Sequence, residues 1–406
     1  MHVIFLAPHF PANQRRFVRG LKAVGARVTG IIDAPIRALD DEIKGLLDGV
    51  EVVQNVTSTA QVTEAVRRIQ KRGPWVHHLE AVVEAHTLTA ARVRELTGIP
   101  GTSYETVERC RDKAVMKAYL ASKGIPVAAN APVDTPEQAR AFCEEHGFPV
   151  ILKPRDGAGA AGTHRIDDMQ GLERLIAQTR WAPGRLLMES FLEGHELFYD
   201  TLTVKGRPAY RFVSHYEPSV LPAMRTRALS PRIVTTNRLH LPSYQPLHAL
   251  ADRVHEALGL STTATHMEVF VTAKGLVFSE IGARPPGVSM WDCYCQALGF
   301  DLYTEWARAV CWGDVHGRTE RRRAAGMVAI RPDRDGIIQG YSGADEIQRR
   351  WGPAIFKAHL PPVGTPTQPV EAGYMANAWA MVAHDDYDSC CAILDDIGKT
   401  LKVWAR

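Results

Sequence analysis

This chain of 406 residues is short of several things, and each shortage excludes something. It has no excess of one charge: 48 Lys and Arg against 45 Asp and Glu leave +3, which supplies no field for gathering nucleic acid or an anionic membrane. The opening run MHVIFLAPHF has no basic segment and is interrupted by Pro8 and His9, so it reads as neither a signal peptide nor a membrane span. Seven cysteines, an odd count in a long chain, argue for a reducing, cytoplasmic setting rather than a disulfide framework. Cys293 with Cys295, and Cys390 with Cys391, lack a second pair at zinc-like spacing, so all seven read as small core residues. What is present is an ordinary globular composition, 45% hydrophobic and 23% charged, in a chain long enough for two to four domains.

Residues 1–102 alternate short apolar runs with helical segments. HVIFLA, ARVTGIID, VEVVQNV and WVHHLEA read as strands, and residues 11–24, 59–71 and 86–96 as helices. That alternation predicts a Rossmann-like parallel sheet with helices on both faces. His77, His78 and Glu80 lie on an extended segment whose neighbours point to opposite faces, which favours a structural role over a metal site. The sequence LTGIPG stops the last helix and places a boundary near Thr102.

Residues 103–185 form the next predicted region. A helix opens at Arg111-Asp112-Lys113, and another at Thr135-Pro136, where a Thr cap precedes Pro at the first helical position. The strand VILKP then carries Lys153 into a glycine-rich run containing Gly157, Gly159 and Gly162. These glycines match the G-x-G-x-x-G dinucleotide pattern literally, but no apolar helical periodicity begins until Leu172, where that fingerprint needs a helix at once. Two readings remain: a flap whose backbone N–H groups reach phosphate oxygens beside the Lys153 charge, or a flexible surface loop. Further on, the strand RLLMES and the connector FLEGHE could present backbone N–H and C=O to an adenine edge, and their acids Glu189 and Glu196, commonplace at strand ends, could accept from ribose hydroxyls.

Residues 266–287 hold the most informative pattern. THMEVFVT and LVFSEI flank Ala273-Lys274-Gly275, the composition of a three-residue hairpin turn, which pairs Thr272 with Leu276, Phe270 with Phe278 and Glu268 with Glu280. Opposed carboxylates repel unless a cation lies between them, and Mg²⁺ suits two carboxylates completed by water and phosphates. The alternative is a hairpin with two solvated glutamates. Arg284 follows within a rigid Gly-Ala-Arg-Pro-Pro-Gly segment.

Taken in order, Lys113, Lys153 with its glycine run, E-x-F-L-x-G-x-E from Glu189 to Glu196, His266-Met267-Glu268 and Glu280-Ile281-Gly282-Ala283-Arg284 resemble the ATP-grasp superfamily, and the likeness spans the whole chain. The resemblance implies a mixed α/β and α+β ATP-grasp fold: a pre-ATP-grasp domain over 1–102, a small lobe over 103–185, a large lobe over 186–320, and a C-terminal α+β domain over 321–406 packed on the large lobe. It implies that Lys113, Lys153, Gly157, Gly159 and Gly162 meet ATP phosphates. Glu189 would stand beside the adenine, with the backbones of Ser190 and Leu192 reading its edge, and Glu196 would bind the ribose. Glu268 and Glu280 would hold Mg²⁺, or Mn²⁺ in its place. Many relatives carry Asn where Gly282 stands, so a second ion would lack one oxygen.

The strand-rich tail followed by a helix is similar to the L-amino acid ligases, which implies joining a carboxylate to an amine through an acyl phosphate. In that chemistry Lys153 and Arg284 are the cations expected to act on the transferring phosphoryl group and the substrate carboxylate. Arg225, His215 and His266 are substrate-side candidates by location, and residues 215–240 are expected to lie over the cleft. Met290, Trp291 and Tyr294 read either as a pocket wall or as core. A biotin-carboxylase-like enzyme and a non-catalytic nucleotide-binding module are the rival readings. The expected partners are small molecules; a homodimer is usual among the proteins this chain resembles.

Overall fold

A computed structural model describes residues 1–157 and 161–406; Gly159, expected at the phosphates, lies outside the described residues. The N-terminal strands form a four-stranded parallel sheet in the order Gly49–Val52, Arg27–Ile32, His2–Leu6, His78–Glu80. His2–Leu6 is buried along its whole length, as a parallel strand covered on both faces requires. The helix Gln14–Ala23 turns Phe17, Val18 and Leu21 inward. Phe17 meets Trp306 edge to face, at 5.0 Å between ring centroids, and so ties this domain to the rest of the molecule. The short helix Asp41–Leu46, capped by Asp40, was not anticipated, because six residues give too little periodicity to read.

The second sheet is antiparallel, in the order Asn130–Val133, Leu186–Ser190, Val150–Pro154, His164–Ile166. Its helix Pro136–His146 starts with the expected Thr135 cap, completed by Gln138 into a capping box. Leu186–Ser190 is an inner strand of this sheet, so the predicted boundary at 185/186 falls one strand early. The chain leaves the lobe only in the connector after Ser190. The helix Lys113–Ser122 also departs from the predicted division, since Met116 and Leu120 are buried with Met267 and Phe278 against the large sheet.

The large sheet has eight antiparallel strands: Gly275–Gly282, Thr263–Thr272, His195–Val204, Arg207–Glu217, Arg232–Thr235, Ala324–Ile330, Ala378–His384 and Ile355–His359. The last three belong to the region expected to be a separate domain packed on the large lobe. They instead continue its hydrogen-bonded ladder, with Arg232 opposite Val328 and Ala325 opposite Ala383. Backbone groups at a sheet edge need partners, and here the tail supplies them.

The hairpin differs from its predicted register in one informative respect. Thr272 pairs with Gly275 across a two-residue turn, and Phe270 with Val277, one residue out from the expected partners. A bulge at Ser279 then restores Glu268 opposite Glu280.

Candidate active site

A cavity of about 1090 Å³ lies between the small sheet and the large one. The large sheet contributes Glu196, Phe198, Tyr216, Glu268 and Glu280, the small sheet Lys153 and Glu189, and the N-terminal domain Asn13, Gln14 and Glu84. Strand alternation explains the first set: Glu196 and Phe198 are two apart on one strand and so share a face.

Charge is distributed along this cavity in alternation. Lys113 Nζ lies 3.0 Å from Glu280 Oε2 and donates to the Gly157 carbonyl at 2.6 Å, bridging large lobe and glycine run. Lys153 Nζ lies 2.9 Å from Glu189 Oε2, and Lys117 Nζ 3.1 Å from Glu189 Oε1. Burial raises the Glu280 carboxyl, but Lys113 and Lys153 outweigh it and hold the group down at about 2. Burial alone would discharge Lys153; Glu189 and Glu280 reverse this and raise its pKa. Glu196 goes the other way: burial first, then the neighbouring Glu268, push it up to about 8. Its carboxylate accepts the Val220 N–H at 2.8 Å.

Beside the paired glutamates, His266 Nδ1 and Asp200 Oδ1 are 2.8 Å apart, and His266 Nε2 is 3.5 Å from Glu268 Oε1. Tyr294 donates to the other Asp200 oxygen at 2.5 Å. Burial would lower the imidazole, yet Asp200 and Glu268 raise it to about 9. Arg284 is oriented by Glu84, which accepts from its Nε, and by the Pro285 carbonyl, 2.8 Å from Nη1. A Cβ at Gly282 would meet Glu84 Oε2 at 3.2 Å and Arg284 Cγ at 3.4 Å. The Arg284–Glu84 pair thus fills the space beside Gly282.

The donor set suits Mg²⁺ in one respect and limits it in another. Two opposed carboxylates with a phosphate-sized space beside them match a hard cation that completes its shell with substrate and water. Among the described residues no group of three or more His, Cys, Asp or Glu is placed to hold a metal by itself. Glu268 and Glu280 would therefore hold the ion together with a bound phosphate.

Several sequence-predicted residues fall elsewhere or are differently engaged. His215 does not line the cavity; its ring lies 2.8 Å from His195 Nε2 and 3.0 Å from the Tyr244 hydroxyl. The Glu189 carboxylate lies between two lysines, and the Ser190 N–H is donated to the Ala129 carbonyl. Leu192, Gly157 and the exposed Arg225 line the cavity. Gly162 lies outside the lining, in a left-handed turn at φ +69°. Of residues 215–240, expected over the cleft, Tyr216, 219–222, 224–226 and Ile233 line the cavity and the others do not. Of Met290, Trp291 and Tyr294 only Met290 reaches the cavity; Trp291 packs on Phe17 and Tyr294 stacks on Phe212.

Sequence reasoning missed Lys117, Glu84, Asp200 and Tyr374. Lys117 was legible, since it stands four residues after Lys113 on the same helical face. Glu84 lies 200 positions from Arg284, and nothing local announces that pairing.

This fold and this charge pattern define a two-lobed protein with lysines and carboxylates gathered in the cavity between its lobes. A family model described as ATP-grasp domain matches residues 146–290 of this chain. Among characterised relatives, the L-arginine-specific L-amino acid ligase of Bacillus subtilis is 29% identical over 277 residues, covering 64% of this chain and 65% of that protein. The alanine–anticapsin ligase of Bacillus subtilis is 26% identical over 251 residues, 55% of this chain and 51% of the relative. The matched stretch thus spans just under two thirds of the first relative's length and about half of the second's. The crystal structure of an L-amino acid ligase from Bacillus licheniformis superposes with a TM-score of 0.78 at 18% identity, covering 100% of this chain and 98% of that one, which establishes the fold.

Proposed function

We propose that the protein is an ATP-dependent carboxylate-amine ligase that forms an amide or peptide bond on amino-acid-like substrates, releasing ADP and phosphate. The carrying observation is the facing pair Glu268 and Glu280 with Lys113 and Lys153 on one side and Arg284 in the same cavity. The relatives named as ligases support the same reading.

A carboxylate oxygen of the first substrate attacks the γ-phosphorus of ATP, the bond to the bridging oxygen breaks, and ADP leaves. The amine then attacks the acyl carbon, its proton is lost and phosphate departs. Bound Mg²⁺, held by Glu268 and Glu280, would neutralise charge on the transferring phosphoryl group. Lys153 and Lys113 would hold phosphate oxygens, and Glu189 with Lys117 behind it would fix the Lys153 ammonium. Arg284, aimed by Glu84, would present its planar fork to the substrate carboxylate or the acyl phosphate. Glu196 would receive the ribose hydroxyls. Gly157 at the base of the glycine run would bring backbone close to the phosphates and help exclude water, which would otherwise hydrolyse the intermediate. Seven free thiols fit a reducing, cytoplasmic setting.

The test is a panel of carboxylate and amine pairs scored by mass spectrometry for amide and by coupled assay for ADP. ADP and phosphate formation requiring both substrates is the expected result. AMP and pyrophosphate would sink the acyl-phosphate route; amine-independent phosphate release in excess bicarbonate would favour a carboxylase-like enzyme; ATP binding without turnover would mean a binding module.

A further inference from the structure

The N-terminal domain brings a reversal of strand order to the cavity. In its parallel sheet the chain steps from His2–Leu6 to Arg27–Ile32 and Gly49–Val52 on one side, then returns to lay His78–Glu80 on the other. The loops after His2–Leu6 and His78–Glu80 therefore flank a crevice beyond the carboxyl ends of two neighbouring strands, the place where open parallel sheets take ligands. Pro11, Asn13 and Gln14 come from the first loop and the helix start behind it, Val83 and Glu84 from the second, and each lines the cavity. Glu84 is occupied with Arg284; the others carry no charge.

Gln14 is the polar group left open there. It is 2% exposed, and its Nε2 is turned to Asn13 Oδ1 at 3.4 Å. Its Oε1 has no hydrogen-bond partner among the described residues. A buried acceptor without a partner forfeits free energy that a ligand donor restores. The mounting is firm. The Gln14 N–H is donated to the Pro11 carbonyl at 3.0 Å, and Arg16, in the same turn, pairs with the buried Asp292 carboxylate. Asp292 also accepts from the Tyr303 hydroxyl at 2.9 Å and from Lys357 Nζ at 2.6 Å. It stands on the helix Met290–Leu298, whose first residue lines the cavity, so Gln14 and that wall share one frame.

The open atom selects its ligand. An oxygen acceptor needs a donor, and the triphosphate and a substrate carboxylate offer acceptors only. The nucleotide's own donors, the ribose hydroxyls and the adenine amino group, go to Glu196 and the connector in the ligase reading. The remaining reactant is the amine, which brings N–H groups. A carboxamide suits it for a second reason. A carboxylate at this point would favour the ammonium form, which has no lone pair to attack with, whereas a neutral oxygen takes an N–H without that bias. Gln14 also belongs to the domain whose Glu84 aims Arg284, the group assigned to the acyl phosphate.

We propose that Gln14 marks the amine subsite: its Oε1 accepts a hydrogen bond from the primary amine that attacks the acyl carbon, and the amine enters by the crevice between the loops after His2–Leu6 and His78–Glu80. This rests on the ligase reading above and adds the place where its second substrate binds. The neutral amine gives one N–H to Oε1 and its lone pair to the acyl carbon. A C–N bond forms, the bond from the acyl carbon to the phosphate oxygen breaks, and phosphate leaves with the bonding pair. The surplus proton passes from nitrogen to a phosphate oxygen. Gln14 thus acts on the amine, and on neither ATP nor the carboxylate.

The experiment uses the full chain, wild type, Gln14→Leu and Gln14→Glu, with Mg²⁺ and ATP. The common L-amino acids serve as carboxylates and L-leucinamide, which has no free carboxylate, as the amine; the fastest pair is carried forward. Activation of the carboxylate is read separately, without leucinamide, as migration of ¹⁸O from the β,γ-bridge of ATP to non-bridging positions of the β-phosphate, and thermal melts check folding. The expected result is that Gln14→Leu raises the KM for leucinamide about tenfold, the range for one hydrogen bond, with isotope migration and the KM for ATP unchanged. In Gln14→Glu the amide-forming rate should recover only at higher pH, its profile moved up by about one unit, because a carboxylate there holds the amine as ammonium. Losses shared equally by leucinamide, the carboxylate and ATP, migration lost together with amide formation, or a Gln14→Glu profile coinciding with wild type would overturn the assignment. ATP binding with no amide from any pair in wild type would overturn the ligase reading and this inference with it. Amide formation whose KM for leucinamide Gln14→Leu leaves intact would overturn this inference alone.

Discussion

Glu268 lies directly opposite Glu280, and it does so because Ser279 is an extra residue that returns the ladder to register after a two-residue turn. Without that bulge Glu268 would pair with Ser279, and Glu280 would turn to the other face. Replacing Glu280 by Ala is expected to abolish ADP release while leaving the far-UV circular dichroism intact. Near-normal turnover in a standard coupled assay at saturating Mg²⁺ would refute the metal assignment.

Lys117 has a fully buried side chain and reaches Lys153 through the Glu189 carboxylate they share. Burial pushes the Glu189 carboxyl up, but the two lysines win and keep it ionised. Lys117→Met removes half of that compensation and should destabilise the fold by about 3 kcal/mol, the scale for breaking a buried ion pair. The KM for ATP should rise, since Lys153 loses its fixed partner. Urea unfolding and ATP titration together check this, and an unchanged KM would confine Lys117 to the fold.

Glu84 aims Arg284 from a different domain. Arg284→Lys should cut kcat by about a hundredfold or more, because an ammonium cannot keep the guanidinium's planar fork. Glu84→Gln should be milder and raise the KM for the carboxylate substrate more than that for ATP. Equal effects on both substrates would show that the pair only joins domains.

The raised pKa of Glu196 makes stability fall with pH in the nucleotide-free, metal-free protein. A carboxyl that titrates near 8 when folded and near 4.5 when unfolded keeps its proton longer in the folded state. Its contribution is full below the unfolded value and is lost as pH rises through about 8. The slope over that interval is at most about 1.4 kcal/mol per pH unit. Thermal melts from pH 5 to 9 should decline, and Glu196→Gln should flatten the decline. A parallel profile for the variant would mean that another group titrates.

Gly194 sits where a Cβ would strike the Val271 carbonyl oxygen, two residues before Glu196. Gly194→Ala should displace the start of that strand and weaken ATP binding about tenfold, within the range expected when a positioned group shifts by a fraction of an ångström. Equilibrium binding of an ATP analogue measures it; unaltered affinity would show that the connector yields without moving Glu196.

The sequence by itself determined much of this protein. Period-two alternation and turn residues located the Glu268/Glu280 hairpin, and alternating strands and helices located the parallel sheet, because those signals are local and survive reading in one dimension. The order of Lys113, Lys153, Glu196, Glu268 and Glu280 was equally legible. Even the opposition of the two glutamates was read correctly, though through a turn of the wrong length that the Ser279 bulge happened to offset.

Tertiary structure alone decided the rest. Lys117 and Lys153 meet at one carboxylate only when a helix packed on the large sheet is brought against the small one. Arg284 finds Glu84 across 200 residues, and that pair occupies the space beside Gly282. The tail became three more strands of the large sheet because an open edge needs hydrogen-bond partners, a demand set by the neighbouring strand and not by the tail's own residues. Tyr374 reaches the cavity by the same route: burial, charge and partners are properties of what surrounds a side chain, and only folding assembles those surroundings.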